Sequence, residues 1–321
     1  MKRKKQEKEK KRGRWKRRLL FICVLVFLIP TGYYGIDFVY RGQTEPQVSA
    51  VQTSTDGAVY SLGEFKERLK PYRGLYEEAV EKHKDETDSG TYVIPGLKAT
   101  MTVRGNRDRK ASVCGGMTPQ GITVSDKYLF ISAYCHTKTH NSVIYVIDKE
   151  THEFLKELVL PNKAHVGSLA YDDEYHNLWV CGSRNGVAQV NAISAEEIEA
   201  YHFTEEYRPI RFLHVNNILD IPRSSFMTYD HSYLYVGYYS TKGNGMIKKY
   251  ELQDDGNIQS VRVEYDGQHS RQGVADEDDL EISRYAQGMT FLGDMLFLSY
   301  SMGITPSRLA AYQVSDGIRD Y

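Results

Sequence analysis

The clearest chemistry in the sequence is one thiol and two imidazoles within six positions. These are Cys135, His136 and His140, and sulfur with imidazole is a ligand set that suits Zn²⁺. A fourth ligand would have to come from Cys114 or Cys181. Structural zinc sites usually pair C-x-x-C with H-x₃₋₅-H elements, and only the second element is present here. The pattern therefore allows a zinc site but favours a polar loop between strands.

A second cluster lies in residues 275–281, which read ADEDDLE. Its carboxylates could bind Ca²⁺, which takes six to eight oxygen ligands. The segment lacks the alternating ligand positions and the turn glycine of an EF-hand. We interpret it as a solvated acidic loop and predict no cofactor for the chain, with Ca²⁺ and Zn²⁺ kept as alternatives. The sequence also has no G-x-S-x-G, H-E-x-x-H or nucleotide-binding motif.

The N-terminus predicts a membrane anchor. Residues 1–18 carry twelve Lys or Arg and two Glu, and residues 19–36 contain no charge. A basic flank before an apolar segment predicts a cytoplasmic tail (1–18) and a transmembrane signal-anchor (19–40). A cleaved signal peptide is the alternative, although residues 31–34 match a cleavage site poorly. Either way the rest of the chain is expected outside the cell, and the absence of glycosylation sequons favours a bacterial one.

Two short segments should connect this anchor to the main domain. Residues 41–60 are small and polar, which is typical of a flexible spacer. Residues 61–89 begin with a capping box, Ser61 with Glu64, and predict a helical stalk interrupted at Pro71. A solvated spacer helix would give the same pattern.

Because residues 38–321 have a net charge of about −10, we expect no nucleic-acid binding.

From residue 90 onward the chain is predicted to be all-β, because short β-branched and aromatic runs alternate with turns rich in Gly, Asn and Asp. One order of segments recurs four times. Each unit has a short strand, a turn with Asp, a Leu-aromatic strand ending in Ser, Gly or Cys, and a third strand. The units align on Thr123, Ala170, Thr228 and Thr290. A fourth strand is expected in the first unit at residues 153–159.

Four strands over 40 to 50 residues form the blade of a β-propeller, so residues 90–321 are predicted to form one. Strands in residues 91–113 would supply a fifth blade or close the ring on the last blade. We predict about five four-stranded blades, in preference to six blades or a β-sandwich.

This fold suggests one site and one crosslink. Residues just before the inner strands should ring an axial mouth that binds a ligand, and these are Gln120, His165, Ser225 and Gln287. The same groups could instead satisfy backbone atoms where blades meet. Cys114 and Cys135 flank the first two blade strands and are the candidate disulfide, with Cys135–Cys181 as the competing pair.

Two phrases in the chain resemble known propellers. Residues 118–123 (TPQGIT) and 286–291 (AQGMTF), followed by Leu-Phe-Leu-Ser and Ser-Arg-Leu, are similar to blade openings of YncE-like, gluconolactonase-like and glutaminyl cyclotransferase-like proteins. The resemblance implies the fold and assigns no catalytic set to this sequence.

The sequence thus predicts a single-pass cell-membrane protein with an extracellular propeller. Its expected function is binding of a ligand, a wall polymer or a partner protein. The alternative is an extracytoplasmic enzyme, lyase or cyclotransferase-like, that acts at the axial mouth.

Overall fold

The computed structural model describes residues 66–67, 69–81, 99–105, 110–203, 207–259, 261–264, 270–273, 279–302 and 307–313. The predicted tail (1–18), anchor (19–40) and spacer (41–60) lie outside these residues. Across the described ranges, no helix is long and apolar enough to cross a membrane. In the predicted stalk, a turn at residues 70–71 is followed by helix α1 (Arg73–Tyr76) and a π-helical turn (Glu77–Glu81).

The described residues from 117 onward form an all-β propeller of four blades, and each blade is an antiparallel sheet. Blade 1 contains β3 (Met117–Val124), β4 (Tyr128–Cys135), β5 (Val143–Asp148) and β6 (Phe154–Val159). Blade 2 contains β7 (Leu169–Asp172), β8 (Asn177–Arg184), β9 (Val187–Ser194) and β10 (His214–Ile218), with helix α2 (Ala195–Ala200) after β9. The predicted fourth strand of the first unit is present as β6.

Blades 3 and 4 are less regular. Blade 3 contains β11 (Phe226–Asp230), β12 (Tyr233–Gly237), β13 (Gly245–Glu251) and β16 (Asp279–Ile282). A separate pair, β14 (Val261–Glu264) and β15 (Ser270–Gly273), is inserted before its last strand. Blade 4 has three described strands, β17 (Ala286–Leu292), β18 (Met295–Tyr300) and β19 (Arg308–Gln313).

The prediction of about five blades is wrong, because the strands before blade 1 do not form one. β1 (Thr100–Thr102) pairs only with β2 (Ser112–Cys114), which gives a two-stranded sheet. That sheet packs against the side of blade 1, where the hydroxyls of Thr100 and Tyr145 lie 2.7 Å apart. Inner strand β3 packs on β7, β7 on β11, and β11 on β17. Within the described ranges, no comparable packing joins β17 back to β3.

Small residues allow the inner strands to approach. A β-bulge between Pro119 and Ile122 turns the Gly121 N–H toward Ser132, whose Oγ accepts it at 2.9 Å. The Ser132 hydroxyl donates in turn to the Val166 carbonyl on the segment leading into blade 2 (2.8 Å). Ser132 is fully buried, so these bonds satisfy backbone groups that would otherwise lose water.

Large apolar side chains fill the spaces between blades. Phe130 and Tyr145 belong to the core of blades 1 and 2, Trp179 to the core of blades 2 and 3, and Phe226 to the core of blades 3 and 4. Trp179 is fully buried, and its indole N–H donates to Asp172 at 2.8 Å. Stacking of blades thus buries apolar side chains of the inner and middle strands wherever two blades meet.

Candidate functional site

The two glutamines predicted for the axial mouth occupy bulges. Gln120 lies in the bulge of β3, and Gln287 lies in the bulge of β17 between Ala286 and Gly288. Each side-chain amide donates to a backbone carbonyl, Gln120 to Pro119 (2.7 Å) and Gln287 to Ser301 (3.0 Å). Both glutamines of the repeated Gln-Gly phrase therefore lie in β-bulges, but the bulges differ in length and the two amides bond to different backbone positions.

The other two mouth residues are placed differently from each other. His165 packs its ring against Tyr134 of blade 1, with centroids 4.4 Å apart. Burial, together with the nearby Lys138 charge, lowers the pKa of His165 below its usual value. Ser225 lies against Gly167, which leaves no space for a Cβ. Gly167, two residues after His165, is thus a point of close backbone approach to the start of blade 3.

The contacts of the four predicted mouth residues do not connect them to one another. Throughout the described chain, no hydrogen bond or ring contact joins any two of Gln120, His165, Ser225 and Gln287. A shared axial site for a ligand stays a prediction.

A groove lies on another part of the surface, between blades 1 and 2. The turn between β3 and β4 forms one side, and α2 with the turn between β7 and β8 forms the other. Its lining residues are Ser125, Asp126, Lys127, Tyr128, Phe130, Tyr171, His176, Ala195, Ile198 and Glu199.

Three aromatic rings line the groove in a continuous row. Tyr128 meets Phe130 edge-on with centroids 5.8 Å apart, and Phe130 stacks on Tyr171 at 6.1 Å. Phe130 is buried, whereas both tyrosines are partly exposed. The rings on the two blades therefore form one aromatic surface that solvent reaches at its two ends.

Carboxylates lie beside this aromatic surface. The Tyr128 hydroxyl donates to Glu199 Oε1 at 2.6 Å, and this bond raises the pKa of Tyr128 to about 12. Burial raises the pKa of Tyr171 to about 12, with further contributions from Asp173, Asp172, Asp126 and Glu196. The lining itself contains the carboxylates Asp126 and Glu199 together with Lys127. Lys149 also reaches the rim, where it donates to the Ser125 carbonyl at 3.2 Å, so the rim carries charges of both signs.

Helix α2 is fixed by contacts at both ends. Ser194 caps its N-terminus by accepting the Glu197 N–H at 3.2 Å. At the other end, Lys156 of blade 1 donates to the carbonyls of Ile198 (2.6 Å) and Glu199 (3.0 Å). A cation at a helix C-terminus is also favourable for the helix dipole. These contacts hold Glu199 of blade 2 over Tyr128 of blade 1.

Sequence reasoning missed this groove because its partners are far apart in the chain. Tyr128 and Glu199 are 71 positions apart. The available signal was Ser194-Ala-Glu-Glu197, a capping-box pattern that marks a helix inside an otherwise β-rich region.

The structure brings together two of the three residues first considered for zinc. Cys135 Sγ lies 3.6 Å from His140 Nδ1, and Cys114 completes a buried group with these two. Hydrogen bonding from the Cys114 thiol, with further bonds from His140 and Thr137, lowers the pKa of Cys135 to about 2. His136 is exposed and stands outside this group.

The three cysteines in the described part of the chain are thiols in the structure. Cys114 and Cys135 lie side by side without the predicted bridge, so the disulfide stays a prediction. Cys181 belongs to a different core, between blades 2 and 3, where burial raises its pKa to about 12. In the acidic segment, residues 275–278 lie outside the described part, and 279–282 form strand β16 in place of the predicted loop.

No family model and no curated protein matches the chain. Several solved structures are similar to it. It is similar to a chain of the mitotic checkpoint complex (10% identity over 65% of this chain and 66% of that chain, TM-score 0.37). It is also similar to TolB from Acinetobacter baumannii, with 10% identity over 69% of this chain and 52% of that chain and a TM-score of 0.35. For the periplasmic gluconolactonase PpgL of Pseudomonas aeruginosa, the identity is 12% over 59% of this chain and 68% of that chain, with a TM-score of 0.32.

The chain is a β-propeller repeat protein. This conclusion rests on its four recurring sheets. The chain spans about half the length of the TolB chain and slightly less than two thirds of the checkpoint chain. At such low identity the neighbours carry no argument about function.

Proposed function

We propose that the propeller is an extracytoplasmic binding module whose ligand carries amino groups, such as an amine-bearing polymer of the cell wall. The observation that carries this proposal is the groove between blades 1 and 2, where an aromatic surface lies beside the carboxylates Asp126 and Glu199.

The groove has both features that attract an ammonium group. An aromatic face attracts a cation through its quadrupole, which contributes about 0.5–2 kcal/mol depending on desolvation. A carboxylate such as Glu199 adds a charge-assisted hydrogen bond. The net charge of residues 38–321, about −10, would also draw a cationic polymer toward the domain from a distance.

A first test changes one charge in the groove. Glu199→Gln keeps an oxygen that accepts the Tyr128 hydroxyl but removes the negative charge. We expect its affinity for a glucosamine tetramer to fall roughly tenfold, as for loss of a charge-assisted hydrogen bond. Isothermal titration of the full-length protein in nanodiscs measures the change.

Two controls make this test specific. Glu251→Gln makes the same charge change at an exposed residue of blade 3 and should leave affinity unchanged. The N-acetylated tetramer has the same sugar rings without the ammonium groups and should bind weakly. Equal binding of both tetramers, or equal loss in the two variants, would contradict the proposal.

We further propose that residues 19–40 hold the propeller at the outer face of a cell membrane. The support is the basic segment 1–18 directly before an uncharged apolar one. Protease added to intact cells should remove epitopes placed after residue 41 and leave an N-terminal tag intact. An N-terminal tag that is cut while the C-terminal domain is protected would refute this orientation.

A further inference from the structure

Cys114, Cys135 and His140 form the one group of potential metal ligands found in the described residues. Their Sγ and imidazole nitrogen atoms all lie within 4.8 Å of one another, and each residue is at most 3% exposed. We propose that this trio is a binding site for a single Zn²⁺ ion, independent of the groove.

The distance between ligand atoms fits zinc. With Zn–S near 2.3 Å and Zn–N near 2.0–2.1 Å, tetrahedral geometry places sulfur and nitrogen about 3.6 Å apart. Cys135 Sγ and His140 Nδ1 are 3.6 Å apart. An ion could therefore sit between these two atoms without a shift of the backbone.

The histidine is oriented for this role by a second contact. Its other nitrogen, Nε2, lies 3.0 Å from Ser112 Oγ, and Ser112 also accepts a hydrogen bond from Arg104 Nε at 3.2 Å. In the tautomer that donates from Nε2 to Ser112, the lone pair is on Nδ1, which faces Cys135. Metal-binding histidines are commonly fixed in this way by a partner on the second nitrogen.

Strands and a tight turn hold the backbone around the trio. Cys135 ends β4, and the following turn brings His140 back beside it, with Lys138 at a φ of 54°. Cys114 ends β2, and the Asn141 N–H donates to the Val103 carbonyl beyond β1 at 2.8 Å. The proposed ion would thus join the two-stranded sheet to blade 1.

The choice of metal follows from the ligands. Two thiolates and one imidazole are soft to borderline ligands, which favours Zn²⁺ over Ca²⁺ or Mg²⁺. Two thiolates also balance the charge of the divalent ion, which matters in a buried site. Three protein ligands leave one tetrahedral position for water or another small ligand.

The experiment measures zinc in the full-length protein, isolated in detergent without reductant or added metal, and again after reduction and titration with Zn²⁺. We expect one zinc per chain. Cys135→Ser and His140→Gln should weaken affinity by far more than tenfold, and Ser112→Ala by about 10- to 100-fold. Co²⁺ in place of zinc should give thiolate-to-cobalt absorption that is lost in Cys135→Ser.

Matched controls remove similar groups elsewhere. Cys181→Ser changes a buried cysteine of another core, and His136→Ala removes the exposed imidazole beside Cys135; both should retain zinc. Wild-type protein should also gain thermal stability with zinc, whereas His140→Gln should not. A Cys114–Cys135 disulfide in the isolated protein would overturn the proposal. So would zinc binding that His140→Gln leaves unchanged, or a reduced protein that binds no zinc.

Discussion

Gly167→Ala is expected to destabilise the propeller by about 3 kcal/mol or more, which is at or beyond the upper end of ordinary overpacking. A Cβ at this position would overlap the Ser225 carbonyl oxygen of blade 3. Because the obstacle is backbone, it cannot move aside as a side chain would. Blades 2 and 3 would have to separate and would lose part of the apolar contact around Trp179 and Met227. Denaturant unfolding of the full-length protein measures the change.

A second glycine and a control test the cause. A Cβ at Gly121 would lie 2.5 Å from Ser168 Cα in blade 2, so Gly121→Ala should also be strongly destabilising. Gly116 is exposed, and a Cβ there would meet no heavy atom within 4 Å. Gly116→Ala should therefore change stability little. If all three variants unfold alike, close approach of the blades is not what these glycines permit.

The recurring units were predictable because local packing and hydrogen bonding determine the residue types in each unit. In the second strands, Ser132 donates to the Val166 carbonyl on the segment leading into blade 2, and Gly237 leaves room for the Phe226 ring of the paired inner strand. A small residue recurs at this position in each of the four units of the sequence. The number of blades was not predictable, because a β-rich segment does not reveal its partner. Thr100–Thr102 pairs with Ser112–Cys114 and packs on a blade that is already complete.

The candidate sites, too, could be predicted from the sequence only in part. Two ligands of the thiol–imidazole group, Cys135 and His140, are close in sequence and were predicted as a possible pair. Cys114 was named only as one of two possible additions, and the fold determines that it is the neighbour. The groove could not be predicted, because Tyr128 and Glu199 meet only when blade 2 packs on blade 1.

Glu157 lies on β6 opposite Tyr145. Strand alternation points Lys156 to the other face, where it binds the end of α2, so Glu157 is half-buried without that cation. No ion pair reaches Glu157 among the described residues. Burial raises the pKa of Glu157 to about 7.

The sign of the pH effect follows from this raised pKa. Between the unfolded value of about 4.3 and a folded value near 7, the folded state holds the proton more tightly. Stability should therefore be greatest at low pH with respect to this group, and should decline as the pH rises from about 4.3 to 7. At pH 8 the charge on the half-buried Glu157 costs at most about 4 kcal/mol, because each unit of the shift from 4.3 to 7 is worth about 1.36 kcal/mol. Glu157→Gln should recover most of that at pH 8 and almost none at pH 4. Unfolding of both proteins across this range measures the difference.

The exposed Glu153→Gln, four residues earlier, should leave the pH profile unchanged. A Glu157→Gln curve parallel to that of the wild type would show that Glu157 is solvated in the folded protein.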